Sequence, residues 1–175
     1  GGDAANPFVI FPEVEAMYKA RAEELKAMAN ARYAAYYEWK QTHPTLANEY
    51  EAYMSGETPC IDWSKIQQKP NAATRNASAT VLGYFAENVG NMVVSSADLS
   101  NSDKTDGFLK KSKALAKGDF SGAFLQAGVS ELTMACVCMG MALHGGIIPA
   151  CGTFFVFSDY MKPAVRMAAL MEIPI

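Results

Sequence analysis

The stretch FLQAGVSELTMACVCMGMALHGGIIPACGTFFVFSDY (residues 124–160) holds the pattern that decides the fold. From Leu132 to Ser158 it contains no Asp, Glu, Lys or Arg. A membrane-spanning helix needs about 20 continuous apolar residues, but two adjacent glycines and Pro149 interrupt this run. The pattern therefore predicts a buried helix followed by a buried strand, and no membrane segment.

Strand and helix patterns alternate across the whole of residues 71–175. Alternation at this spacing predicts an α/β fold, a partial and mostly parallel sheet flanked by helices. The expected elements are helices at 74–88, 132–143 and 158–171, strands at 92–95, 124–129 and 146–149, and a polar loop with a surface helix over 99–118. Residues 173–175 also have a buried-strand pattern, and we expect the chain to be a segment of a longer protein.

Residues 1–70 differ in character from residues 71–175 and predict a long helical arm with a linker. The first helix is expected to begin at Pro12, which suits a first helical turn, and to continue to about Gln41. A second, shorter helix is expected over 45–54. An aromatic cluster in the arm is expected to form core rather than a ligand site: Tyr33, Tyr36, Tyr37 and Trp39.

Composition excludes several classes of function. The 175 residues are 50% hydrophobic and 19% charged with a net charge of −3, so the charge does not favour nucleic acid or an acidic membrane as a partner. The four cysteines lack C-x-x-C spacing and the two histidines, His43 and His144, lie far apart. We therefore predict no metal site in this chain. Scattered thiols among apolar neighbours are typical of reduced cysteines, which favours a cytoplasmic protein.

Acidic residues follow two of the predicted strands. In open parallel sheets, ligands bind beyond the carboxyl ends of the strands, and Asp98 and Glu131 occupy that location. Glu131 also opens an otherwise uncharged helix, whose N-terminus stabilises a carboxylate. Spacing alone leaves two interpretations open, a ligand-binding carboxylate or a first-turn helix carboxylate with no further role.

Three aromatic residues recur every third position after the last predicted strand. Phe154, Phe157 and Tyr160 point to roughly one side if the chain turns helically there. Aromatic stripes are most often core, but these lie in the same strand-end zone as Glu131. A flat heteroaromatic ligand stacked on the rings, with one carboxylate at its edge, is the alternative interpretation.

Six motifs in one order resemble a known family. They are Ala73-Thr74-Arg75, Ser96-Ala97-Asp98-Leu99, Gly128-Val129-Ser130-Glu131, Ala142-Leu143-His144-Gly145-Gly146, Gly152-Thr153-Phe154 and Pro163-Ala164-Val165-Arg166. Together they resemble the pyrimidine-binding domain of transketolase. The arm from Asn6 to Ile66 resembles the helical connection that precedes that domain.

The resemblance implies a thiamine-diphosphate enzyme of the pentose phosphate pathway that moves a two-carbon ketol unit between sugar phosphates. It implies that Glu131 is catalytic, because it hydrogen-bonds a ring nitrogen of the aminopyrimidine and so promotes proton removal from the thiazolium carbon. The implied cofactor-binding positions are Asp98, Leu99, Val129, Glu131, Phe154, Phe157 and Tyr160. The implied substrate-binding positions, which grip the substrate phosphate, are Arg75 and Ser102.

The chain departs from the family pattern at three places. The family usually has Pro-Ser-Asn where this chain has Asn101-Ser102-Asp103, and a carboxylate beside the phosphate grip would repel a phosphate. Ser130 replaces an arginine before the glutamate, and Cys151 replaces a glycine. None of these changes removes a group that the proton transfer requires.

The resemblance also implies groups that this chain does not carry. The diphosphate and its Mg or Ca ion are held by a separate domain, and the active site forms in a homodimer where that domain of the partner subunit faces the pyrimidine domain. We therefore expect this chain alone to be inactive. Three alternatives stay open: another thiamine-dependent transferase (dihydroxyacetone synthase or deoxyxylulose-phosphate synthase), a non-catalytic split subunit that acts as an assembly module, and a helical scaffold protein.

Overall fold

The computed structural model describes residues 2–175. Their contacts divide the chain into two compact units, the first ending at Glu49 and the second running from Tyr50 to Ile175. The helices are α1 (Pro12–Thr42), α2 (Pro44–Met54), α3 (Thr74–Asn88), α4 (Ser100–Asp103), α5 (Asp106–Leu109), α6 (Glu131–His144) and α7 (Ser158–Leu170). The strands are β1 (Met92–Ser96), β2 (Phe124–Gln126) and β3 (Ile148–Gly152).

The helix α1 makes up most of the first unit. It begins with Pro12, as predicted, and none of its described side chains is buried. The expectation that its aromatic cluster forms core is wrong for Tyr33 and Tyr37, which are 63% and 61% exposed, whereas Tyr36 and Trp39 are half-buried. Tyr36 does stack on Trp39, with ring centroids 6.0 Å apart. A long helix with no second layer in its own unit has nothing against which to bury a face.

The second unit is built on a three-stranded parallel sheet with the order β2-β1-β3. This arrangement confirms the predicted α/β fold with a parallel sheet and flanking helices. The register pairs Ser96 with both Gln126 and Gly152. The three strands therefore end at the same level, and the segments that follow them meet at one edge of the sheet.

Both faces of the sheet are covered. On one face Met92 and Val94 pack with Phe108, Phe124 and Val89, and α3 and α5 contribute half-buried apolar side chains to the same cluster. On the other face α6 lies against β3 and contributes three buried residues, Met134, Ala135 and Cys138. Burial on both faces is the reason that β1 does not alternate between buried and exposed residues, since Val94, Ser95 and Ser96 are buried in succession.

Several bounds differ from the predicted ones because of local backbone conformation. Strand β2 ends at Gln126, three residues early, and Gly128 then turns with a φ of 70°. Strand β3 begins at Ile148 because Gly145 and Gly146, which follow α6, have positive φ values of 84° and 78° that favour glycine and turn the chain. Residues 173–175 form no strand in the described part of the chain, since Glu172 turns with a φ of 55°.

The polar region 99–118 contains two single-turn helices, α4 and α5, rather than one surface helix. Lys104 separates them in a left-handed conformation with a φ of 71°. Within residues 2–175, no helix is both long and apolar enough to cross a bilayer.

Candidate functional site

The level ends of the three strands bring separate parts of the sequence to one edge of the sheet. Asp98 follows β1, Glu131 follows β2 after a short turn, and Thr153 follows β3. Asp98 has a φ of 64°, a left-handed conformation that is uncommon outside glycine. It is exposed at this edge, whereas the next residue, Leu99, is half-buried and donates its backbone N–H to Ser96 Oγ at 3.2 Å.

The carboxylate of Glu131 is the buried charged group at this edge, with only 7% of the residue exposed. Glu131 is the first residue of α6, where the free backbone N–H groups and the helix dipole favour a negative charge. Thr153 Oγ1 donates a hydrogen bond to Glu131 Oε1 at 3.2 Å. Because β1 lies between β2 and β3, this bond joins segments that follow the two outer strands.

One oxygen of the Glu131 carboxylate is left for a ligand. Among residues 2–175, Thr153 is the only side chain with a hydrogen bond to this carboxylate, and it contacts Oε1. A buried carboxylate is stable only when its oxygens accept hydrogen bonds. Oε2 is therefore suited to accept a hydrogen bond from an N–H group of a bound molecule.

The three aromatic residues predicted to share one side form a continuous stack. Phe154 and Phe157 have ring centroids 6.1 Å apart at an interplanar angle of 28°. Phe157 and Tyr160 follow at 6.3 Å and 26°. A 3-10 turn over Phe155–Phe157 starts the stack, and its three residues per turn place every third side chain on one side.

The stack begins at Phe154, the residue that follows the Thr153 bound to Glu131. Phe154 and Phe157 are half-buried, and Tyr160 is 64% exposed. We call Phe154, Phe157 and Tyr160 the aromatic stack. The aromatic stack offers a flat apolar surface, and its first ring is adjacent in the sequence to the residue that holds Glu131.

Exposed apolar side chains surround this surface. Val129, in the turn before α6, is 81% exposed, and Phe155 and Val156 are 93% and 69% exposed. Such a patch is costly to leave in water and is typical of a binding surface. Its location at the carboxyl edge of a parallel sheet is where ligands bind in this class of fold.

Arg75 and Ser102, the predicted phosphate-binding pair, lie next to each other although 27 positions separate them. Arg75 Nη1 donates to the carbonyl oxygen of Ser102 at 3.2 Å. Arg75 is in the first turn of α3 and is exposed, so its other N–H groups can reach a ligand. The Ser102 hydroxyl donates to Asn101 Oδ1 at 3.2 Å and can still accept a bond.

Asp103 has a structural role that the sequence analysis missed. Its Oδ1 accepts hydrogen bonds from the backbone N–H and the hydroxyl of Thr105, both at 2.8 Å, and its Oδ2 accepts from Ser96 Oγ at 2.8 Å. The sequence Asp-Lys-Thr contains the signal for the first two bonds, since Asp commonly caps a backbone N–H two residues ahead. The carboxylate connects the end of β1 to the loop that carries Ser102.

A cavity of about 530 Å³ lies at this edge of the sheet, lined in part by Thr153. Arg75, Asp103, Cys151 and Phe154 are among the residues that line it. It therefore contains one cationic side chain, one carboxylate and the first ring of the aromatic stack. A second, more apolar cavity of about 470 Å³ lies at the opposite ends of the strands, next to Met92 and Ile148.

The described residues contain no group of three or more His, Cys, Asp or Glu side chains placed to hold a metal ion. A buried carboxylate, a ring stack and a separate arginine follow the strands of a parallel α/β sheet at its carboxyl edge, where ligands bind in this class of fold.

Comparison with known proteins identifies the family. The family model "Transketolase, pyrimidine binding domain" matches residues 70–175. A transketolase from Halalkalibacterium halodurans is 37% identical over 177 residues, which cover 97% of this chain and 26% of that protein. A transketolase from Bacillus subtilis is 36% identical, with coverage of 97% and 25%.

Solved structures agree with the sequence relatives. Transketolase from Leishmania mexicana superposes with a TM-score of 0.84 at 28% identity, covering 93% of this chain and 24% of that one. Transketolase from Pichia stipitis in complex with sedoheptulose-7-phosphate has a TM-score of 0.82 at 29% identity, with coverage of 96% and 26%. The chain belongs to the transketolase family, and it spans about a quarter of the length of the relatives it matches.

Proposed function

We propose that this chain is the segment of a thiamine-diphosphate-dependent transketolase that binds the aminopyrimidine half of the cofactor. The full-length enzyme would transfer a two-carbon ketol unit between a ketose phosphate and an aldose phosphate, as in the pentose phosphate pathway. The observation that carries the proposal is the buried carboxylate of Glu131 at a helix N-terminus, bound by Thr153, the residue before the aromatic stack. The similarity to transketolases over nearly the whole chain supports it.

The geometry of Glu131 fits an aminopyrimidine. Thr153 holds one carboxylate oxygen, and the other is free to share a proton with a ring nitrogen. Low exposure strengthens such a bond, because water does not compete for it. The aromatic stack provides a flat face for the ring. When bound, thiamine diphosphate supplies the carbon that loses a proton and then accepts the ketol unit.

The same edge provides groups for the sugar phosphate. Arg75 is exposed beside Ser102, and an arginine binds phosphate oxygens through parallel N–H groups. Asp103 places a negative charge in the same cavity, although three donors already bind its carboxylate. The sugar phosphate in the Pichia stipitis transketolase complex is of the chemical class that we propose as substrate.

We propose that a second copy of the protein covers the outer face of α6, which makes the full-length enzyme a homodimer. This face carries exposed, uncharged residues, among them Leu132, Val137 and Leu143 at 44%, 41% and 60% exposure. A separate domain of the partner subunit would supply the ligands for the diphosphate and for Mg or Ca. The four free cysteines support a cytoplasmic location. Light scattering of the chain tests the association, and a monomer at high concentration would contradict it.

The substitution Glu131→Gln in the full-length enzyme tests the role of the carboxylate. An amide has nearly the same shape but cannot share a proton in the same way, so ketol transfer should fall by about 10²–10⁴-fold. The fold should be retained, since the amide oxygen can still accept the Thr153 bond. Glu23→Gln, on the exposed surface of α1, is the matched control and should leave turnover unchanged. Near-normal turnover in Glu131→Gln would refute the proposal.

A further inference from the structure

A series of hydrogen bonds fixes the backbone segment that holds Arg75. The segment 99–105 contains α4 and lies between β1 and α5. The carbonyl oxygen of Leu99 accepts hydrogen bonds from the backbone N–H groups of Ser102 and Asp103, at 2.7 and 2.8 Å. Arg75 donates to the carbonyl oxygen of Ser102 at 3.2 Å. The position of the guanidinium group therefore depends on the position of this segment.

The Asp103 carboxylate ties the segment to two buried residues. Its Oδ2 accepts a hydrogen bond from Ser96 Oγ at the end of β1, and its Oδ1 accepts from the backbone N–H and the hydroxyl of Thr105, all at 2.8 Å. Ser96 and Thr105 are buried, so water competes little for these bonds. One side chain thus anchors the segment both to the sheet and at its own far end.

Thr105 also lies against the end of β3. A Cβ atom at Gly152 would lie 2.5 Å from Thr105 Cγ2 and 3.6 Å from Asp103 Oδ2, so the strand approaches the segment as closely as a glycine allows. The residue after Gly152 is Thr153, which binds Glu131. The segment is therefore held at a fixed position relative to the buried carboxylate of the candidate site.

We propose that Asp103 is a positioning residue for the substrate phosphate, a role that acts through Arg75 and rests on the proposed function. Arg75 is exposed, and a free arginine side chain loses many rotamers when it binds an anion. An arginine that already donates one N–H to a fixed carbonyl oxygen loses fewer, which lowers the free-energy cost of binding. Both side chains line the cavity of about 530 Å³, where the other guanidinium N–H groups can meet phosphate oxygens.

The charge of Asp103 has the opposite effect from its geometry. A carboxylate repels a nearby phosphate, so removal of the charge alone should strengthen phosphate binding. Asparagine keeps an oxygen for the two Thr105 bonds, and its amide N–H can donate to Ser96 Oγ, which now donates to Oδ2. Alanine removes the charge and all three bonds. The two substitutions therefore separate the effect of position from the effect of charge.

The test measures kcat and KM of the full-length enzyme with two ketose donors, sedoheptulose-7-phosphate and phosphate-free erythrulose, and with propanal as the acceptor in both assays. Asp103→Ala should raise KM for the phosphorylated donor by about 10-fold, with little change in kcat and none in KM for erythrulose. Asp103→Asn should leave KM for the phosphorylated donor unchanged or lower it. A lower KM in both variants would show that Asp103 acts only as a charge, and an equal loss with both donors would show a general structural role. Either result would overturn the proposal.

Asp62→Ala is the matched control. Asp62 Oδ1 accepts hydrogen bonds from the backbone N–H and the hydroxyl of Ser64, at 3.1 and 2.6 Å, which is the same local turn as at Asp103. Asp62 is exposed and belongs to the linker before α3. This substitution should change KM for neither donor.

Two further variants separate this proposal from the proposed function. Arg75→Ala should raise KM for the phosphorylated donor at least as much as Asp103→Ala does. If Arg75→Ala has this effect and Asp103→Ala has none, the phosphate site stands and the positioning role is wrong; if neither variant has an effect, both are wrong. Ser96→Ala, which removes the donor to Asp103 Oδ2, takes the place of Asp103→Ala if that variant does not fold. It should raise KM for the phosphorylated donor by a smaller factor, and an unchanged KM would overturn the proposal.

Discussion

The hydrogen bond between Thr153 and Glu131 predicts a measurable loss of stability in Thr153→Val. Valine has almost the same shape as threonine but cannot donate, so the substitution removes the only side-chain bond to this carboxylate among residues 2–175. The carboxylate is 7% exposed, which leaves water little room to replace the lost donor. The perturbation therefore isolates one interaction at the candidate site.

The geometry of the bond sets the expected loss in the free energy of unfolding of Thr153→Val. A hydrogen bond to a charged group contributes about 1.5–3 kcal/mol, but 3.2 Å between the two oxygens is long for an O–H donor. We therefore expect the free energy of unfolding to fall by about 1–1.5 kcal/mol. For a chain of this length, about 1 kcal/mol lowers Tm by about 2–4 °C.

Thr80→Val is a matched control. Thr80 Oγ1 donates to the carbonyl oxygen of Asn76 over the same distance, 3.2 Å, but it is exposed and its acceptor is uncharged. Urea unfolding, monitored by circular dichroism, should show that the free energy of unfolding of this variant changes by no more than about 0.5 kcal/mol. If Thr153→Val costs no more than Thr80→Val, the bond to Glu131 does not hold the carboxylate in place.

A double-mutant cycle separates the bond from other effects of the substitution. Once Glu131→Ala has removed the acceptor, Thr153→Val should lower the free energy of unfolding much less than it does in the unsubstituted chain. An equal cost in both backgrounds would show that Thr153 acts through packing, and the explanation from hydrogen bonding would fail.

Three other predictions concern packing, charge and ligand binding. Gly107→Ala should destabilise the chain by about 1–3 kcal/mol or more, because a Cβ atom there would lie 2.3 Å from the backbone oxygen of Ala79. Gly140→Ala should stabilise the chain by about 0.5–1 kcal/mol, because a Cβ atom there meets nothing within 4 Å. Similar melting curves for the two variants would contradict both predictions. The ion pair with Lys113 and the Ser121 hydrogen bonds lower the pKa of Asp119 from 3.8 to about 2. The stabilisation of the fold by the charged Asp119 is therefore fully present above pH 3.8 and is lost as the pH falls through about 2. An NMR titration midpoint of Asp119 near 3.8 would contradict this prediction. The isolated chain should bind thiamine diphosphate weakly or not at all, and calorimetry showing micromolar affinity would contradict that expectation.

Patterns within short segments of the sequence predicted much of the fold. The helix over 74–88 has the predicted bounds, and β1 differs by one residue. These elements form where the local pattern and the tertiary environment agree. The predicted bounds failed where the backbone conformation of glycine sets the limit of an element. Gly145 and Gly146 before β3 are an example, because a sequence pattern does not show the sign of φ.

The candidate site was predicted in its residues but not in its connections. Motif order pointed to Glu131 and the aromatic stack, and regular spacing was enough to place three rings on one side. No pattern in the sequence indicated that Thr153 contacts Glu131. These two residues are distant in the chain, and their contact depends on the order of the strands.

The amino-acid sequence was sufficient to establish the α/β class, the uncharged helix after β2 and the set of side chains available for chemistry, because helix and strand periodicity act over a few residues. The strand order β2-β1-β3 and the common level of the strand ends arise only when distant segments pack together. Burial of the Glu131 carboxylate and exposure of the α1 aromatic residues are likewise decided by packing. The physical reason is that burial is a property of neighbours in space, which the tertiary structure alone assigns.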